Sequence, residues 1–160
     1  MSRKNIHTFD ETSISTLKDM LYSSDKDANA VAMEMLRNAN LKDETTLSFI
    51  TNLTTESVVD TYNKNADVMK ELTEMFTGFI KKGILTLPEP VYDKSKEVRT
   101  DISMLETAMI EFKFGIRKKL AKEWLKKKTT DERKLEIENE INVINRYVAN
   151  IMNVEYEDRH

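Results

Sequence analysis

Apolar residues recur along most of this chain at intervals of three and four, the spacing that lines side chains along one face of an α-helix. The first run is Ile14, Leu17 and Leu21, in a helix expected to begin between Asp10 and Ser13 and to end near Tyr22. The polar cluster Ser23, Ser24 and Asp25 breaks it. Ala28, Val31, Ala32, Met35 and Leu36 make the next stripe. Ser24 is the expected cap of that helix, with Asp27 as the partner in a variant of the capping box. Residues 38–40 end it. A third helix, 43–53, presents Leu47, Ile50 and Leu53. The short connections predict three successive antiparallel neighbours. A fourth, long helix is expected from Thr54 or Thr55 to Lys82, with Val59, Tyr62, Ala66, Met69, Leu72, Phe76 and Phe79 on one stripe. Gly83 then fits the left-handed position that ends a helix.

Residues 84–92 hold the chain's two prolines, Pro88 and Pro90. They cannot continue a helix, so an extended linker is expected. Beyond it, Val98, Ile102, Leu105, Met109, Phe112, Ile116 and Leu120 form a coiled-coil-like seam on a helix spanning 93–127. Thr129 and Glu132 make a capping box for a last helix, whose seam is Ile137, Ile141, Ile144, Val148 and Ile151. Two seams joined by a tight turn predict an antiparallel hairpin. The expected architecture is therefore all-α: a polar arm over 1–9, a small helical bundle over 10–83, the linker, and a hairpin over 93–160.

Composition agrees. The 160 residues include 3 Gly and 2 Pro, too few for a turn-rich β fold. Apolar residues make up 39%, enough for a thin core that leaves some helices dependent on each other or on a partner. With no cysteine, disulfides and thiolate metal sites are excluded. The N-terminal ten residues lack an apolar signal region, and no run is long enough to span a bilayer. The expected location is the cytoplasm, a host cell's cytoplasm or a virion, with no membrane contact. A net charge of −3 argues against polyanion binding by the molecule as a whole.

Charge is nevertheless patterned. Between 113 and 128 stand eight basic residues against one acid, Glu123; between 131 and 140 stand five acids against Arg133 and Lys134. In a hairpin the two segments face each other, and both signs complement the helix dipoles. The basic run, with Phe112, Phe114 and Trp124 interleaved, also offers a nucleic-acid reading, in which Lys113, Arg117, Lys118, Lys119, Lys122 and Lys126 grip phosphates.

The hairpin carries more apolar surface than a two-helix pair can use. Ile110, Phe114, Ala121 and Leu125 lie away from the first seam, and Val143, Tyr147 and Val154 make a second stripe on the last helix. Either the N-terminal helices or another chain must cover them. The eight methionines after Met1 fall near helical stripes and read as core filling.

Catalytic chemistry is poorly supplied. The only histidines, His7 and His160, sit near the two ends. There is no Glu-x-x-His pair for a di-iron bundle, no glycine-rich phosphate loop and no nucleophile triad. No cofactor or metal is expected. The sequence thus predicts a non-enzymatic structural or interaction protein that self-associates or docks into a larger assembly, its partner face formed by Ile110, Phe114, Leu125, Val143, Tyr147 and Val154. The Asn- and Lys-rich composition suits a viral or phage component. A nucleic-acid-binding or transcription accessory protein is the alternative.

Overall fold

A computed structural model describes residues 6–157, and within them every regular element is an α-helix. Seven helices follow in order: α1 (Glu11–Leu21), α2 (Lys26–Arg37), α3 (Glu44–Thr54), α4 (Val58–Lys64), α5 (Ala66–Lys81), α6 (Met104–Leu125) and α7 (Asp131–Met152). The caps are Asp10, Asp25, Asp43, Ser57, Asn65, Ser103 and Thr130. Each side chain accepts a hydrogen bond from a first-turn N–H that would otherwise lack a partner. Asp10 with Ser13, and Ser103 with Glu106, do so reciprocally. Two expected caps are displaced by one residue: Asp25 rather than Ser24 starts α2, and Thr130 rather than Thr129 starts α7. The Thr129 hydroxyl instead donates to the Glu123 carbonyl and closes the end of α6.

The long fourth helix is two helices. Asn65 is extended, at φ −164° and ψ 103°, ending α4 and capping α5 at once. Its side-chain amide donates to Asn29 Oδ1 at 3.0 Å, and Asn29 in turn donates to the carbonyls of Met20, Leu21 and Ser23. The break turns Val59 and Tyr62 away from the stripe, and both are exposed. Gly83 follows α5 at φ 74°, the expected left-handed terminator.

The fifth expected helix starts late. Residues 93–103 are irregular, because Asp93 takes the Ser95 N–H and hydroxyl at 2.9 and 2.7 Å in a local turn that competes with helix. The helix begins only at the Ser103–Glu106 capping box. Val98, assigned to the seam, is exposed.

The expected polar arm is shorter than 1–9. Its first five residues lie outside the described part, but Phe9 is 2% exposed. It meets Phe49 edge-on at 6.0 Å, and its N–H donates to the buried Thr46 hydroxyl at 2.9 Å. His7 pairs with Ala39 as an isolated bridge. One buried aromatic suffices to dock a polar segment, since ring burial of this kind contributes about 2–3 kcal/mol.

Packing divides into three clusters. The largest joins α1, α2, α3 and α5 to Met104 and Ala108 of α6, so the bundle core runs into the root of the hairpin. α5 lies antiparallel to α6, with Thr77 bonded to the Ala108 carbonyl and Glu74 facing Glu111. Met109, Tyr147 and Ile151 form a second cluster at the root, and Leu120, Ile137 and Ile144 a third near the tip. All eight methionines after Met1 lie in or against the first two clusters. The segment between α5 and α6 is long but held: Leu85 is buried and Leu87 packs on the second cluster.

Candidate interaction surface

α6 and α7 pair antiparallel, with matched contacts along their length. Lys113 Nζ lies 4.8 Å from the Tyr147 ring centre, Arg117 donates to Asn145 Oδ1 at 2.6 Å, and Lys134 Nζ sits 4.7 Å from the Trp124 ring centre. At the turn, Arg133 binds both carboxylate oxygens of Glu123 and also reaches Glu136 and Glu140. The Glu123 bonds raise the Arg133 pKa first, and the same contact lowers that of Glu123.

This inverts the expected neutralisation. The hairpin is zipped by the single acid of the basic run and the arginine of the acidic run. Lys118, Lys119, Lys122, Lys126, Lys127 and Lys128 form no ion pair within 4.0 Å among the described residues. The basic end is therefore not cancelled by its neighbour.

The six residues of the expected partner face separate. Tyr147 is buried in the second cluster, with Ile110 packed beside it. Phe114 leans on the tip cluster beneath the Arg117 guanidinium, 3.9 Å away. Leu125 stays 76% exposed and Val143 59%, and Val154 is also open to solvent. Of the expected phosphate-binding residues, Lys113 and Arg117 are engaged on rings within the hairpin, while Lys118, Lys119, Lys122 and Lys126 point outward.

The tip cluster draws only on α6 and α7. Beyond the root, the core of the hairpin among the described residues comes from its own two helices, and the C-terminal tail reaches back only as far as Asn142, whose Oδ1 accepts the Tyr156 hydroxyl at 2.7 Å. Beside the cluster runs an open apolar groove of about 280 Å³, lined by Ala121, Trp124, Leu125, Glu138 and Ile141. The Trp124 indole N–H is buried there without an acceptor among the described residues. Leu135, 60% exposed, stands one turn before Glu138. Sequence reasoning passed over Leu135 because it is out of phase with both stripes of its helix. That isolation was itself the signal.

A second cleft, of about 370 Å³, lies at the root, where the proline segment arches over the end of α7. Its organiser is Asn153, in the left-handed conformation at φ 56° and 7% exposed. Asn153 Oδ1 accepts the Asp93 N–H at 2.8 Å, and its amide donates to the carbonyls of Asp93, Lys96 and Glu97. Arg99 crosses the cleft to Glu106 and to the Ile151 carbonyl. Burial pushes the Glu106 pKa up, but bonds from Arg99 and Ser103 outweigh it and hold it low. The cleft's main cation is thus already neutralised, and its polar groups serve the loop. Among the described residues no three His, Cys, Asp or Glu side chains converge as for a metal ion, and no helix is long and apolar enough to cross a membrane.

No family model, curated protein or solved structure matches the chain.

Proposed function

We propose that this chain is a non-enzymatic helical interaction protein, in which the bundle is a base and the hairpin an arm that docks on another polypeptide. One observation carries the reading. Near the tip, where the core draws on α6 and α7 alone among the described residues, Leu125 stands largely in water on the apolar groove and Leu135 is exposed one turn from Glu138, which lines it. Scattered exposed apolar residues are ordinary, but an apolar groove formed by Ala121, Trp124, Leu125 and Ile141 marks a contact surface.

Photo-crosslinking tests this directly. A benzoylphenylalanine at 125 or 135, in cells that produce the protein, is expected to trap a polypeptide. The same group at the exposed Thr45 of α3 is expected to trap none. If 125, 135 and 143 are as silent as 45, the reading fails.

The unpaired lysines support a second reading, nucleic-acid binding through the end of α6. It ranks below the first because the interleaved aromatics are occupied: Trp124 lies under Lys134, Phe114 under Arg117, and Phe112 in the root cluster. Binding to a mixed oligonucleotide would fall steeply with salt and weaken on Lys118→Glu, Lys119→Glu and Lys122→Glu. Absence of binding at low salt removes it.

A further inference from the structure

The tip groove is flanked by charge of opposite sign. On α6, Lys118 stands three residues from Ala121 and Lys122 three from Leu125, and both share that face. On α7, Glu138 lines the groove, and Asp131 lies seven residues before it on the same face. None of these four side chains forms an ion pair within 4.0 Å among the described residues. Lys134, the base among the acids, is turned onto the Trp124 ring. The face is therefore an apolar strip with a basic edge on one helix and an acidic edge on the other.

We propose that the occupant of this face is a second copy of the chain, the two hairpins closing face to face as a four-helix bundle about a two-fold axis parallel to their length. The proposal rests on the interaction reading above and names its partner. Symmetry decides the charges. An axis along the hairpins lays α6 of each copy over α7 of the other, with both tips at the same end, so each lysine edge meets an acid edge. An axis across the hairpins would set lysines against lysines. The Glu123–Arg133 and Trp124–Lys134 pairs place Leu125 level with the first turn of α7. Across the first axis, Leu125 then meets the second copy's Leu135, and Lys122 comes within reach of the second copy's Glu138. One contact made twice closes the assembly without an open edge, as an isologous interface requires.

Sedimentation equilibrium on the full chain, from micromolar to millimolar, reads the outcome. The expected result is a shift from 18.6 kDa toward twice that mass. Leu125→Glu and Leu135→Glu should each abolish the shift. Lys122→Glu and Glu138→Lys should each weaken association about ten-fold or more by placing like charges together, while an equimolar mixture of the two restores it. None of these side chains belongs to a buried cluster, and circular dichroism is expected to show unchanged helicity. A monomer throughout the range overturns the proposal, as does a dimer indifferent to Leu125→Glu or a charge-swapped mixture that stays apart. If the protein is monomeric yet crosslinks from 125 to a different polypeptide, the second copy is refuted and the interaction reading stands. If both fail, both are refuted.

Discussion

Asn153 offers the sharpest test of how the hairpin is anchored. Replacing it by glycine keeps a residue at ease in the left-handed conformation and deletes only the side chain. The loss is one acceptor, for the Asp93 N–H, and two amide hydrogens shared among three carbonyls. At about 1 kcal/mol net per bond the upper figure is about 3 kcal/mol, and water entering the partly open loop reduces it to about 2. Asn153→Ala loses the same bonds and adds about 1 kcal/mol for a Cβ in the left-handed region. For a chain of this size each kcal/mol lowers Tm by about 2–4 °C, so glycine should cost about 4–8 °C and alanine about 6–12 °C. Thermal unfolding followed by circular dichroism measures both. Hydrogen exchange at the Asp93 amide should speed up in each variant while amides of α2 keep their wild-type order. A glycine variant melting with the wild type would refute the clamp, and equal melting of the two variants would refute the conformational part.

Three further outcomes follow from other contacts. Phe9→Ala should destabilise by about 3 kcal/mol in urea unfolding, because it empties a site in the main core; a change under about 0.5 would return residues 7–9 to a solvated arm. Asn65→Ala should cost about 1–2 kcal/mol through loss of the α5 cap and the bond to Asn29, and an unchanged denaturation midpoint would mean the break is indifferent to that side chain. Glu106 has a lowered pKa in the fold, so its contribution is complete above the ordinary value of 4.5 and is lost as pH falls through the lower folded value. The Tm gap between wild type and Glu106→Gln should therefore be widest near neutral pH and shrink below 4.5; a gap constant with pH would contradict the linkage.

Much of this fold was legible because helices announce themselves by period and by caps. The seam of α7, Met109 and Leu120 of the α6 seam, the start of α3 and the Gly83 terminator stand where local chemistry places them, whereas Val98 falls before α6 and Ile116 is exposed. The failures share a cause. Asn65 is an unremarkable helix residue by propensity, and what breaks the chain there is Asn29, distant in sequence. The charged stretch 93–100 suits a helix by composition, yet Asp93 and Asn153 hold it as a loop. Phe9 was hidden by its polar neighbours. The surface was half legible. Surplus apolar residues on the hairpin were visible, but which would be covered depended on helix rotation: Tyr147 turned inward and Leu125 did not. The charge blocks were visible too, whereas the choice of Arg133 by Glu123 was a matter of reach across the turn.

The three-residue core of the tip has a consequence for how the molecule breathes. Leu120, Ile137 and Ile144 give the distal hairpin little cooperative support, while the root shares the core of the whole bundle. Opening free energy should fall along the hairpin from root to turn, making its end a separately fraying unit. A ligand on that end would have to order it on binding. Occupancy would then be readable as slowed proteolysis at the turn and a rising local opening energy, set by the ratio of free ligand to Kd, while the bundle's global stability hardly moved.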